Sequence, residues 1–287
     1  MKRAAVIFQN VHKHICQPQL SVQPTFCMRY ASTHFGYQTV DEEEKAKEVY
    51  NVFARAAKKY DLMNDIMSLG VHRLWKNYFV GKIALNDNMK WLDVAGGTGD
   101  IAMRAVRSIQ KGGGNGLVTV CDINQPMINV GMKKAAEDPT VDKGILLNAS
   151  DRLKWVCGNG EELPFKSGEF NVYTIAFGIR NCTHIDKILE EAFRVLKPGG
   201  LFACLEFSSI KPILSPLYDL YSFGVIPYIG KFVSNDYKSY RYLVESIRKF
   251  PNQKKFAEMI EAAGFSDVYY QNLSFGICAI HMGTKAS

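Results

Sequence analysis

Trp91-Leu92-Asp93-Val94-Ala95-Gly96-Gly97-Thr98-Gly99-Asp100 is the stretch that decides the fold. A short apolar run ends in a glycine cluster, and a helix-like pattern follows. That order describes a first β-strand, a tight turn and a helix that opens onto a nucleotide. Glycine lets the backbone come close to a ligand, because no Cβ intervenes and positive φ is open to it. The pattern is not G-x-G-x-x-G, and an acid, Asp93, stands before the glycines. A carboxylate there would repel a pyrophosphate, whereas a ligand with a cationic amine gains from it. S-adenosylmethionine has such an amine and no phosphate. Asp93, Gly97 and Gly99 are therefore read as cofactor-binding residues. The plainer alternative is a glycine-rich turn in some other α/β domain, since fold does not fix function.

Strands and helices alternate on either side of this stretch. Apolar runs at 90–95, 117–122, 153–157, 170–176 and 201–206 read as strands. Helical patterns fall at 100–110, from Pro126 to about 136, and at 184–196, where Lys197-Pro198-Gly199-Gly200 closes the last one. Residues 137–152 read as a polar loop. A helix over 252–263 and two closing strands at 265–271 and 277–283 complete the chain. The alternation predicts a doubly wound α/β sheet. The methyl-carrying ligand would sit in the crevice at the strands' carboxyl ends, inside a domain spanning 90–287.

Two segments depart from that rhythm. Residues 31–89 read as a linker and a helical cap: acids at Glu42, Glu43 and Glu44 suit a helix start, and Val49, Val52, Phe53 and Ala56 recur at helical spacing. Residues 210–245 read as an aromatic-rich insertion, either a lid for a large apolar substrate or an extra helical hairpin packed on the core. Tyr60 and His72 of the cap and Tyr221 of the insertion are candidates for substrate contact. For the cap residues, simple packing is the competing reading.

Three further positions carry chemistry. Asp122 ends the second strand, where a carboxylate accepts from ribose hydroxyls in nicotinamide and S-adenosylmethionine enzymes alike. Asn159 and Gly160 follow the third strand, where a side-chain amide addresses an adenine edge and a glycine gives the ring room; a plain turn is the alternative. Arg180 lies just past the fourth strand and is the only cation expected at that strand end. Its permanent charge suits an anionic reactant better than proton removal. A structural ion pair is the other reading.

Composition bounds the rest. The chain has 287 residues and 47% hydrophobic residues, enough for a full core in one domain plus extensions. The first 40 residues contain no Asp or Glu, and they carry Lys2, Arg3, Lys13 and Arg29 among hydroxylated residues. Residues 1–30 therefore read as a mitochondrial transit peptide. Without those four cations, the formal +7 falls to +3, so the charge does not argue for nucleic-acid binding. Seven cysteines with no C-x-x-C pair give neither a disulfide framework nor a zinc site, and no metal is expected.

The chain resembles the ubiquinone/menaquinone biosynthesis C-methyltransferase family, in its mitochondrial branch. Lys59-Tyr60-Asp61-Leu62-Met63-Asn64-Asp65 and Phe177-Gly178-Ile179-Arg180-Asn181 carry the resemblance most specifically, with His72-Arg73-Leu74-Trp75, the glycine stretch, Asp122-Ile123-Asn124 and Leu205-Glu206-Phe207-Ser208 beside them. The resemblance implies a class I S-adenosylmethionine-dependent methyltransferase fold: a Rossmann-like seven-stranded sheet with its last strand antiparallel. It implies cofactor contacts at Thr98, Asp122, Asn159 and Gly160. It also implies methylation of a ring carbon of 2-methoxy-6-polyprenyl-1,4-benzoquinol in ubiquinone biosynthesis; for such a reaction the fixed charge of Arg180 makes it the candidate to stabilise the hydroquinonate. A homodimer, other subunits of a ubiquinone-synthesis complex and peripheral attachment to the matrix side of the inner mitochondrial membrane follow from the same resemblance. Two other readings stand beside it: a methyltransferase-like subunit that organises such a complex, and a nicotinamide oxidoreductase, against which Asp93 weighs.

Overall fold

β3 (Lys90–Val94) is buried on both faces, with Trp91, Leu92 and Asp93 wholly inaccessible. A strand buried on both faces belongs at the centre of a parallel sheet covered by helices on both sides. The structure, a computed structural model, describes residues 32–84, 88–138 and 152–287. The transit-peptide segment and, but for its ends, the loop read over 137–152 lie outside the described residues.

Beyond β3 come β4 (Leu117–Asp122), β5 (Leu153–Cys157), β6 (Phe170–Ala176), β7 (Leu196–Phe207), β8 (Phe265–Leu273) and β9 (Cys278–Lys285). The seven strands lie in the order β5-β4-β3-β6-β7-β9-β8. The first five are parallel, and β9 runs antiparallel to both of its neighbours. The expected seven-stranded sheet with an antiparallel last strand is the observed one. The chain passes from β3 out to β5 and returns to β6 on the other side, so the crevice lies beyond the ends of β3 and β6.

Helices α1 (Glu42–Ala56), α2 (Tyr60–Ser68) and α3 (Val71–Gly81) form the cap. Then α4 (Asp100–Lys111), α5 (Gln125–Glu137) and α6 (Ile185–Val195) flank the sheet. On one face, Trp91, Val118 and Leu205 pack with Ile101, Ala105 and Ile109 of α4. On the other, Leu92, Tyr173 and Phe202 pack with Ile188 and Leu189 of α6.

The structure differs from the sequence expectation in three places. A hairpin of β1 (Ser32–Phe35) and β2 (Gln38–Asp41) precedes the cap, where only a linker is expected. β7 begins at Leu196, not 201. Gly199, at φ +73°, carries the Lys197-Pro198-Gly199-Gly200 turn inside the strand, and the register with β6 shifts between Phe170 and Val172. The insertion is three helices, α7 (Ser215–Gly224), α8 (Ile226–Ser234) and α9 (Tyr237–Lys249), followed by α10 (Gln253–Ala262). Ile226, Tyr240 and Val244 close on Met63 of α2. The insertion thus packs on the cap, and the two together stand over the crevice. No helix among the described residues is long and apolar enough to cross a membrane.

Candidate active site

The turn after β3 takes Ala95, Gly97 and Gly99 through positive φ (+50°, +54° and +75°) before α4 begins. Asp122, at the end of β4, holds this turn. Its Oδ2 accepts from the Gly97 N–H at 2.8 Å and its Oδ1 from the Asn124 N–H at 2.7 Å. A Cβ at Gly96 would lie 2.7 Å from Val120 Cγ1 and 2.9 Å from Asp93 Oδ2, so only glycine lets the loop lie down on Asp93. The cavity in front of the turn has a volume of about 440 Å3, within the usual range for small-molecule sites.

Asp93 gives this cavity its electrostatic character. The Thr174 hydroxyl donates to its Oδ1 at 2.8 Å, while Oδ2 is buried with no partner among the described residues. Loss of solvent pushes the carboxyl up to about 7. Burial raises Asp122 as well, although the Asn124 and Gly97 N–H groups pull it back. Two buried acids disfavour a phosphate and favour hydroxyls and a cation. Asp93 Oδ2 is sealed beneath the glycine turn, so the acid acts on the cavity through its field, and a cationic amine in front of the turn fits that field.

The remaining expected cofactor residues divide. Thr98 is buried in the cavity wall, within reach of Lys134 Nζ (3.4 Å) and Asp61 (3.5 Å), which are themselves paired. Asn159 and Gly160 line the cavity, and the Asn159 Oδ1 accepts from the Glu161 N–H at 3.0 Å. A Cβ at Gly160 would meet Ile188 Cδ1 at 2.9 Å and Val94 Cγ1 at 3.0 Å, so this corner is a narrow apolar slot suited to a planar ring. Gly97 lines the cavity too; Gly99 does not. A Cβ at Gly99 would lie 2.4 Å from Trp155 Cη2, so its constraint is packing against β5 as well as positive φ.

Helix α1 roofs this cavity with Glu42, Val49, Tyr50 and Phe53. It is tied down at its start and at its middle. Lys45 Nζ donates to the Cys182 carbonyl at 2.8 Å, Asn124 Nδ2 donates to the Tyr50 carbonyl at 2.8 Å, and His184 Nε2 lies 3.2 Å from Glu42 Oε2. Acids and helical spacing mark α1 as a helix in the sequence, but nothing there marks it as a roof.

A second cavity, of about 370 Å3, lies between cap and insertion, and its walls are predominantly apolar. Tyr60, His72 and Tyr221 all line it, as the sequence reading expects of substrate contacts. His72 is buried, with Nε2 2.9 Å from Asp65 Oδ1 and Nδ1 without a partner among the described residues; burial lowers its pKa. The Tyr221 hydroxyl donates to the Met67 carbonyl at 2.8 Å, pinning α7 to α2. Tyr60 is hydrogen-bonded to Asn64, and burial raises its phenol.

The two cavities share Phe53, Tyr60, Lys76, Phe177 and Asn181. Phe177 takes φ +56° at the end of β6, and Gly178 lets this loop touch the first one, since a Cβ there would lie 2.5 Å from Ala95 Cβ. Arg180 sits in the second cavity with its side chain almost wholly buried. Its Nη1 donates to Glu206 Oε1 and to the Phe177 carbonyl, both at 2.7 Å, and its Nε has no partner among the described residues. The charge is therefore matched by Glu206, which is the ion-pair alternative of the sequence reading. What Arg180 presents to the cavity is an N–H donor within a neutralised pair. Nor is it the only cation here: Lys76, which the sequence reading misses, stands at the junction with its Nζ 2.7 Å from Asp100 Oδ2. Asn181, also missed, accepts from the Tyr242 hydroxyl at 3.0 Å through its Oδ1.

Comparison with known proteins agrees with this architecture. The model of the ubiE/COQ5 methyltransferase family matches residues 38–285. The chain is 54% identical to the 2-methoxy-6-polyprenyl-1,4-benzoquinol methylase, mitochondrial, of Caenorhabditis elegans, over 88% of this chain and 85% of that protein. It is 51% identical to the protein of the same name from Mus musculus, over 90% and 85%. Among solved structures, a SAM-dependent methyltransferase from Thermotoga maritima superposes with a TM-score of 0.55 at 15% identity, over 83% of this chain and 99% of that one, a likeness of fold.

Proposed function

This chain belongs to the ubiE/COQ5 methyltransferase family, and from that premise we propose that it transfers a methyl group from S-adenosylmethionine to a ring carbon of 2-methoxy-6-polyprenyl-1,4-benzoquinol in ubiquinone biosynthesis. The observation that carries the reading is the junction. A cavity built on the glycine turn after β3 and on Asp122 meets an apolar cavity through five shared residues, among them Tyr60, Phe177 and Asn181.

When bound, S-adenosylmethionine supplies an electrophilic methyl group on a sulfonium. Asp122 would hold the ribose hydroxyls and Asn159 with Gly160 the adenine, while Asp93, beneath the turn, would favour the cationic amino group through its field. Gly97 and Thr98 close the loop beneath. In the second cavity, Tyr60, His72 and Tyr221 surround the benzoquinol ring and fix which carbon faces the junction. A ring carbon becomes nucleophilic when the neighbouring phenol loses its proton. The Arg180 guanidinium, at the wall of this cavity, stabilises that oxygen as charge builds there. A methyl donor held in the first cavity would present its methyl group to that carbon at the junction, and the ring proton that the methyl displaces would leave to water.

The protein acts in the mitochondrion, on the matrix side of the inner membrane and peripherally, because the substrate's tail is lipid-soluble. Residues 1–30 address it there, and it works as a homodimer among other subunits of a ubiquinone-synthesis complex. The experiment is methyl transfer to a short-chain benzoquinol, run beside calorimetric titrations with S-adenosylmethionine and NADH. Binding of S-adenosylmethionine with turnover is the expected result; tight NADH binding without methyl transfer would overturn the reading.

A further inference from the structure

The outer surface of the insertion is apolar. Ile213 is 86% exposed just before α7, Leu217 and Leu220 are 71% and 69% exposed on α7, and Phe232 is 83% exposed on α8. Tyr228 and Val225 are exposed between them. Clusters of large exposed apolar side chains mark a surface that meets something else. Over 212–232 the charged residues are Lys231, which is exposed, and Asp219, whose side chain is 42% exposed beside Arg248; Lys211 and Lys238 flank the face. Its one acid, Asp219, is engaged with Arg248 and accepts from the Ser215 hydroxyl.

This face adjoins the mouth of the second cavity. Leu69, 87% exposed at the turn between α2 and α3, is part of that cavity's wall. The bond from the Tyr221 hydroxyl to the Met67 carbonyl brings α7 against the same turn. A cavity of about 370 Å3 takes a ring and the start of a polyprenyl chain. The rest of the tail must leave through an apolar opening.

We infer that the outer face of α7 and α8 seats on a lipid bilayer bearing anionic headgroups, and that the second cavity is filled from that bilayer past Leu69. The inference rests on the proposed substrate only for the second half, the filling. Short helices with an apolar outer side, an interfacial tyrosine and a lysine border have the chemistry of an interfacial membrane contact. A second copy of the chain fits less well, because a two-fold contact through this face would set lysine against lysine with no free acid between them.

The test uses protein recovered from mitochondria, floated with vesicles of phosphatidylcholine containing one part in five phosphatidylglycerol. Leu217→Glu with Leu220→Glu, and separately Phe232→Glu, change side chains that line neither cavity. Each should lower vesicle binding by about tenfold or more, because a buried apolar contact becomes a charged one facing anionic lipid. Turnover of a short-chain, water-soluble benzoquinol should be unchanged, while turnover of a long-chain quinol held in the vesicles falls with the binding. Undiminished flotation would overturn the inference. So would loss of short-chain turnover, which would mean that the substitutions act inside the fold. A lipid-free dimer that the variants split into monomers would assign the face to a second copy instead. If the unaltered protein floats and the variants do not, yet no benzoquinol is methylated, the docking face stands and the proposed substrate fails.

Discussion

The ring of Phe35 lies flat on that of Tyr242, with centroids 4.1 Å apart and planes 9° from parallel. Phe35 belongs to the hairpin that precedes the cap, and Tyr242 donates its hydroxyl to Asn181 at the junction of the two cavities. The hairpin is tied down a second time, where the Tyr37 N–H donates to Glu245 Oε2 at 3.1 Å. A segment at the edge of the fold thus sets the position of a residue at its centre. Phe35→Ala should raise KM for a short-chain benzoquinol about two- to tenfold, the equivalent of the roughly 0.5–1.5 kcal/mol such a stacked pair contributes. Phe35→Tyr should restore it. Steady-state kinetics of both variants checks this, and an unchanged KM in the alanine variant would disconnect the hairpin from the site.

Asp122 accepts from two backbone N–H groups already, so its replacement acts on the turn as well as on the ligand. Asp122→Ala should weaken S-adenosylmethionine binding at least about tenfold, since hydrogen bonds to a charged group contribute about 1.5–3 kcal/mol each. It should also lower the unfolding temperature, because the Gly97 N–H loses its acceptor. Asp122→Asn keeps one acceptor oxygen and should fall between. Calorimetry and thermal unfolding on the same samples separate the two effects.

Arg180 and Glu206 are a buried pair, and removal of one partner strands the other. Arg180→Met should destabilise the fold by about 3–5 kcal/mol, because Glu206 is left charged and buried. Arg180→Met with Glu206→Gln should recover most of that loss in urea unfolding. Single-turnover methyl transfer by the double variant then reports the donor's contribution alone, with a fall of about 10²–10³-fold expected if Arg180 holds the phenolic oxygen. Near-normal turnover in the double variant would take Arg180 out of the mechanism.

Asp93 makes both binding and stability depend on pH. Burial raises its carboxyl from the ordinary 3.8 to about 7, so the folded chain holds a proton over that window which the unfolded chain has lost. Stability from this group therefore falls as pH rises from about 4 to 7. A cationic amine bound in front of the glycine turn pulls the pKa back down through its field, so ligand binding below pH 7 should release a proton and weaken as pH falls. Calorimetry in buffers of different ionisation enthalpy counts that proton, and Asp93→Asn should abolish it.

The parts of this protein that were legible in its sequence are those governed by local rules. The apolar run of β3, the positive-φ glycines after it and the carboxylate ending β4 follow from period, turn chemistry and position. Lys76 was not legible: it reads as one more cation on a helix, and it is buried only because Asp100, on another helix, lies beside it. Glu206 reads as the end of a strand until Arg180 is placed against it. Gly99 shows the limit of a glycine motif, because the demand for a missing Cβ comes from Trp155 on a distant strand and looks the same in sequence as a demand from a ligand. The hairpin strands are four residues each and largely exposed, so no apolar alternation announces them.

Phe53 and Tyr60 each form part of both cavity walls, and each stands on the cap rather than on the sheet. Whatever orders these two rings from one side changes the surface offered to the other side. The two ligands are therefore thermodynamically linked, and linkage is reciprocal: the factor by which a bound quinol tightens the methyl donor equals the factor by which the donor tightens the quinol. A donor stripped of its methyl group meets the same two rings, so the same reciprocity links the methylated quinol to the spent donor.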